Sequence, residues 1–164
     1  MPKLINNGVL EENVWQTISE PTDVASLPEG KVLLPLAFVQ ANIDEITISK
    51  DNLGIIILPA DAAEDSAPLL DKVSVVAFEF QNFMDGRGFS QARIVREELG
   101  FEGEVRATGQ FIRDQLLYLK RCGFNAFEFG DESVDVEAAL ASLSDFTEYY
   151  QAGVDEPKPL YQRR

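Results

Sequence analysis

The sequence predicts a single α/β domain of about five parallel strands that alternate with helices. The chain has 164 residues, the length of one compact domain. Residues 54–58 read GIIIL, a continuous apolar run typical of a strand in a sheet covered on both faces. Residues 83–129 read as strand, Gly-Arg-Gly loop, helix, strand, Thr-Gly-Gln loop, helix and strand. Right-handed crossovers of this kind build a parallel sheet, either open and Rossmann-like or flavodoxin-like, or curved into a partial barrel.

Five segments are predicted strands because each is short, largely apolar, and bounded by polar residues, proline or glycine. They are residues 32–36, 54–58, 73–80, 104–107 and 126–129. The fourth is the most polar, which favours a place near a sheet edge or in a barrel-like curve.

Helices are predicted between and after these strands, at residues 42–50, 61–70, 90–100, 110–122 and 134–150. Asn42 supplies a capping side chain for the first. In the fourth, Ile112, Leu116 and Leu119 recur at helical spacing, and Gly123 is a typical stop. The last carries its apolar residues on one face.

The domain is expected to occupy residues 31–152. Residues 1–30 are polar and are expected to pack on the domain through Trp15. Residues 153–164 contain two prolines and are expected to form an extended tail.

Composition excludes several classes of function. Fourteen Lys and Arg against 28 Asp and Glu leave a net charge of −14, which disfavours a nucleic-acid partner. No apolar run is long enough to span a membrane, and the first residues lack the apolar core of a secretory signal, so a cytoplasmic protein is expected. With no histidine and one cysteine, histidine triads, zinc sites and disulfides are excluded, and no metal site is predicted.

The single cysteine, Cys122, is predicted to be structural. It stands at a predicted helix C-terminus, where the helix dipole disfavours a thiolate. It also follows Tyr118 by four residues, which places both on one stripe of the helix.

Ligands of open α/β sheets bind at the carboxyl edge of the strands, so the loops there are the candidate site. In the first loop, Asp85, Gly86, Arg87 and Gly88 precede a helix expected to start at Ser90. A helix N-terminus and the planar fork of Arg87 suit an oxyanion. The alternative is that the glycines serve a turn, Ser90 caps the helix and Arg87 pairs with Asp85.

The second loop is expected at the same edge and completes the candidate ligand-binding set with Thr108, Gly109, Gln110, Arg113 and Asp114. Asp114 could orient Arg87 or accept a proton. The alternative for Asp114 is favourable placement of an acid near a helix N-terminus.

Basic residues gather in this region: seven of the fourteen lie between Asp85 and Arg121. They could hold a small anion beside the site. For most of them, surface ion pairs with neighbouring glutamates and aspartates are the favoured interpretation.

The segments DGRGFSQAR, REELGFEGEVRATGQFIRDQL and RCGFNAFEF resemble domain of unknown function 934, a bacterial family. The early Trp15, ILPADAAED and the closing KPLYQRR resemble the family's layout as well. Members are often labelled as oxidoreductases involved in sulfite reduction. The resemblance implies association with assimilatory sulfate reduction, beside a sirohaem-type sulfite reductase and a phosphoadenylyl-sulfate reductase. It implies no catalytic residues.

Two main hypotheses follow. In the first, the chain is a non-catalytic accessory protein of sulfite reduction that binds a small oxyanion or the sulfite reductase. In the second, it is an oxidoreductase or flavin-linked enzyme acting on a sulfur oxyanion at the Asp85 and Arg87 loop. The sequence shows no cofactor motif, but a flavin held by loops alone stays open. A pathway regulator or scaffold that senses anions is a third hypothesis.

Overall fold

The structure is a computed structural model that describes residues 3–163, and its centre is one curled sheet of eight strands. The strands are β1 (Lys3–Asn6), β2 (Val9–Glu12), β3 (Gln16–Thr17), β4 (Val32–Pro35), β5 (Leu53–Ile57), β6 (Val75–Phe80), β7 (Glu104–Gly109) and β8 (Ala126–Phe129). Their spatial order is β2-β1-β8-β7-β6-β5-β4-β3.

The sheet is a half-barrel with helices, and the predicted set of five parallel strands is wrong. Strands β3 to β8 are parallel, each paired with the next along the chain. Strands β1 and β2 are antiparallel additions beside β8. An open Rossmann-like sheet reverses its strand order, whereas this order is sequential. Right-handed crossovers between strands in sequential order put every helix on the same face of the sheet. Of the two predicted shapes, the open sheet and the partial barrel, the partial barrel is correct.

Most helices are shorter than their predictions. The helices are α1 (Leu36–Asn42), α2 (Arg87–Arg93), α3 (Leu116–Arg121), α4 (Val136–Ser142) and α5 (Leu160–Arg163). A 3-10 segment covers Ala63–Leu69, which contains Pro68, and α2 continues as a π-helical stretch over Ile94–Glu98. With this π-helical continuation, α2 covers residues 87–98, against the predicted 90–100. The helix predicted at residues 42–50 is wrong: α1 follows β4 directly because Leu36 and Val39 face the core.

The first strands form a hairpin that the sequence prediction missed. Asn7 and Gly8 both have positive φ, 49° and 77°, which is the geometry of a type I′ turn. The hairpin then pairs β1 with β8, so Ile5 lies opposite Phe127. The first thirty residues thus contribute three strands to the sheet rather than only a covering segment.

The core lies between the sheet and its helices. On the helix-covered side of the sheet, alternate strand residues pack against the helix faces that point toward the sheet. These core residues include Ile55, Val76, Phe78, Phe80, Ala92, Leu116 and Leu119. A smaller cluster lies on the inner face of the half-barrel, where Leu33, Ile56, Val75 and Ala77 pack with Trp15. Trp15 thus packs against the inner face of the sheet.

The residues before α5 contact the end of α3. Arg121 donates from Nη2 to the carbonyl of Gln151 at 2.6 Å and lies 4.1 Å from the ring centroid of Tyr149. The backbone N–H of Val154 donates to the carbonyl of Arg121. Among residues 3–163, no helix has the length and apolar character that crossing a membrane requires.

Candidate functional site

The first loop at the carboxyl edge is organised by an ion pair between Asp85 and Arg87. Arg87 donates from Nε and Nη2 to the two carboxylate oxygens at 2.9 and 2.6 Å, and its backbone N–H donates to Oδ1 at 3.2 Å. These hydrogen bonds hold the pKa of the Asp85 carboxyl below its ordinary value. The Asp85–Arg87 ion pair, predicted as the alternative to an oxyanion site, is therefore present. It occupies the guanidinium N–H groups of Arg87 that an oxyanion would use.

The helix after this loop begins earlier than expected. Arg87 is its first residue and Gly86 stands at the cap position, so Ser90 lies inside α2 rather than capping it. Gly88 packs on the aromatic core: a Cβ there would lie 2.7 Å from Cζ of Phe80. Gly88 therefore lets α2 approach β6 closely.

The second loop joins the ends of three strands. Strand β7 extends through Thr108 and Gly109, and the N–H of Gln110 donates to the carbonyl of Phe80 at 2.6 Å. Gly109 has φ +92°, and a Cβ there would lie 2.5 Å from that same carbonyl oxygen. The carbonyl of Gly109 accepts from the N–H of Gly130. Thr108, Gly109 and Gln110 thus have a structural role at the edge of the sheet.

Arg113 and Asp114 lie in a 3-10 turn before α3, not in the first turn of a helix that starts at Gln110. Both are exposed and line a shallow depression with the end of α4, at Ser142 and Phe146. The partner of Arg87 is Asp85, and the carboxylate of Asp114 forms no hydrogen bond with any of residues 3–163. The structure joins Asp85 to Arg87 and turns Arg113 and Asp114 toward α4.

Most arginines of this region are committed to internal partners. Arg93 pairs with Glu97 at 3.0 Å on the helix surface. Arg96 donates to three backbone carbonyls, those of Phe101, Gly103 and Gly123. The ion-pair interpretation is confirmed for Arg87 and Arg93, whereas Arg96 has a structural role in joining two loops.

An exposed apolar surface lies beside the first loop. It consists of Phe83, Met84, Ile112 and Tyr118, and is called the edge patch below. Gln115 connects the Phe83 and Ile112 segments: its Nε2 donates to the carbonyl of Phe83 at 2.9 Å, and its Oε1 accepts from the N–H of Ile112 at 3.1 Å. Met84 is 78% exposed. Large apolar side chains gathered on a surface are typical of a protein-binding site.

A buried polar cluster that was not predicted from the sequence lies on the inner face. Arg106 is completely buried, and its Nε donates to Oε1 of Glu104 at 2.6 Å. Its Nη1 donates to Asn13 at 3.2 Å and to Glu128 at 3.3 Å. The guanidinium carbon lies 5.6 Å from the ring centroid of Trp15. The alternation of Glu104, Arg106 and Thr108 along β7 was the available signal, because it places all three on one face.

Cys122 is buried at the end of α3, as predicted from its position. Burial raises the pKa of its thiol, and the positive charge of Arg93 only partly offsets this. Among residues 3–163 no group of three or more acidic or cysteine side chains is arranged to hold a metal ion.

The protein is a half-barrel α/β protein. Hydrogen bonds connect the loops at the carboxyl edge of its sheet, and an exposed apolar surface lies beside them. A family model matches residues 54–161, from β5 to α5, and its description is bacterial protein of unknown function (DUF934). The chain belongs to this family. No curated protein and no solved structure matches it significantly.

Proposed function

We propose that this chain is a non-catalytic accessory protein of assimilatory sulfite reduction that binds the sulfite reductase through the edge patch. The main support is the exposure of Phe83, Met84 and Ile112 in the loops that follow β6 and β7, with Tyr118 exposed on α3, at the edge where ligands of parallel sheets bind. Aromatic residues and methionine are enriched in interfaces, where a few residues supply most of the binding energy.

The hydrogen bonds of Arg87 favour a protein partner over a small oxyanion. An oxyanion or a flavin phosphate at this loop would have to displace Asp85, which already accepts from Nε and Nη2 of Arg87. Displacement would leave one more negative charge facing the ligand. The flavin-linked enzyme acting at this loop therefore stays a prediction, with less physical support than partner binding.

Titration calorimetry with the purified sulfite reductase of the same bacterium tests the proposal. Wild-type protein is expected to bind, and Phe83→Ser combined with Met84→Ser is expected to weaken binding by about tenfold or more, since central apolar contacts are typical hot spots. Tyr161→Ser is the matched control, because Tyr161 is equally exposed but lies on α5. Equal binding by the double variant and the control would contradict the proposed surface.

The absorption spectrum of the purified protein separates the two functions. An accessory protein that binds through the edge patch is expected to be colourless. A stoichiometric flavin spectrum that disappears in Arg87→Ala would support the flavin-linked enzyme instead.

A further inference from the structure

A second cavity lies at the opposite edge of the sheet, between the N-terminal strands and the starts of β4 to β7. Its volume is about 530 Å³, which is within the range of small-molecule sites. Trp15 lines the cavity together with Asn6, Glu12, Lys31, Asp51, Ser74 and Glu104. Lys31, Asp51 and Ser74 precede parallel strands and Glu104 begins β7, so the cavity is separate from the edge patch.

Donor groups around this cavity lack acceptors. The ammonium group of Lys31 lies 5.3 Å from the ring centroid of Trp15 and forms no hydrogen bond or ion pair with any described residue. The Oγ of Ser74 is buried without a partner. Behind Trp15 and Glu104, the fully buried Arg106 also has an unpartnered Nη2. Buried polar groups in folded proteins normally have hydrogen-bond partners, so the Oγ of Ser74 requires one from a ligand. The half-buried Lys31 can also donate to a ligand oxygen, whereas Arg106 lies outside the cavity lining.

The cavity also presents negative charge without a cation. Asp51, Glu11 and Glu12 line it, and none of these carboxylates forms an ion pair within residues 3–163. Glu104 differs from them, because it accepts from Arg106. An anion alone would face these three unpaired carboxylates, and a cation alone would face Lys31. A ligand that carries both charges satisfies both sides of the cavity.

We propose that this cavity binds a small zwitterion of the α-amino acid class. Its carboxylate lies toward Lys31 and Ser74, and its ammonium group lies toward Asp51 and Glu12. The proposal is independent of reductase binding, because no residue of the edge patch lines this cavity.

Fluorescence of Trp15 provides a direct test, because it is the only tryptophan in the chain. The twenty proteinogenic L-amino acids are titrated one by one, with acetate and methylammonium as single-charge controls. At least one amino acid is expected to give a saturable change, and neither control ion is. If no amino acid changes the fluorescence, or if acetate binds as tightly as the best amino acid, the proposal is overturned.

Dissociation constants of single-residue variants for the amino acid test whether it binds in this cavity. Lys31→Met, Ser74→Ala and Asp51→Asn are each expected to weaken amino-acid binding by about tenfold, while the exposed Lys72→Met leaves it unchanged. Circular dichroism checks that each variant is folded. Unchanged dissociation constants in folded Lys31→Met and Asp51→Asn would show that the ligand binds elsewhere.

Discussion

Arg106 donates from Nε to Oε1 of Glu104 at 2.6 Å while its own side chain is completely buried. The same guanidinium contacts Asn13 and the Trp15 ring, both in the segment before β4. Arg106 thus connects the N-terminal segment to the inner face of the half-barrel. Glu128 is the second carboxylate that compensates the buried charge.

Replacing Arg106 with leucine should destabilise the protein strongly. Removing one partner leaves two carboxylates without their cation, and breaking a buried pair typically costs about 3–5 kcal/mol. Urea unfolding measures the change. Arg93→Ala is the control, because it removes a surface pair with Glu97 and should cost less than about 1 kcal/mol. Similar small losses in both variants would show that the buried network does not support the fold.

Gly109→Ala should cost more stability than Gly100→Ala. Both glycines have positive φ, so each substitution has a backbone cost of about 1–2 kcal/mol. At Gly109 the new Cβ would also lie 2.5 Å from the carbonyl oxygen of Phe80, whereas nothing lies within 4 Å at Gly100. Thermal unfolding of the two variants compares them. Equal midpoints would contradict the close approach of β7 to the end of β6.

The thiol of Cys122 should react slowly with thiol reagents in the folded protein. Burial raises its pKa, so the reactive thiolate forms only at a higher pH than in an exposed cysteine. Because the folded pKa is raised, the corresponding stability is present below the unfolded pKa and is lost as pH rises through the folded one. Labelling rates with and without urea measure the protection. Rapid labelling of native protein at neutral pH would contradict the structural role.

The carboxyl group of Asp85 should titrate at lower pH than an ordinary aspartate. Its hydrogen bonds to Arg87 lower its pKa, so the stability from this pair is present above the unfolded pKa and is lost as pH falls through the folded one. NMR titration of the carboxyl carbon follows the group in wild type and in Arg87→Gln. The pKa should rise toward its ordinary value in the variant, and an unchanged pKa would show that Arg87 is not the cause.

Local sequence patterns were sufficient to predict part of the fold. The run at residues 54–58 predicts β5 to within one residue, and β8 lies where it was expected. The hairpin before β3 carried a signal as well, since Asn7-Gly8 between short apolar stretches is a strong turn pattern. Its strands are four residues each and partly polar, which is why the composition of the segment concealed them.

The parts that the sequence could not predict depend on contacts between distant residues. The pairing of Asp85 with Arg87 is local and was among the predicted alternatives. Burial of Arg106 depends on Asn13, which is 93 residues away, and arginine is seldom fully buried. The edge patch depends on Gln115 reaching Phe83, which helical spacing alone does not indicate.

Hydrogen exchange of the protein mixed with purified sulfite reductase tests reductase binding at the edge patch most directly. The reductase is expected to slow exchange at the backbone amides of residues 83–84 and 112–118, and to leave β2 and the C-terminal segment unchanged. Unchanged exchange throughout, or protection confined to β2 and the C-terminal segment, would contradict the edge patch as the reductase-binding surface.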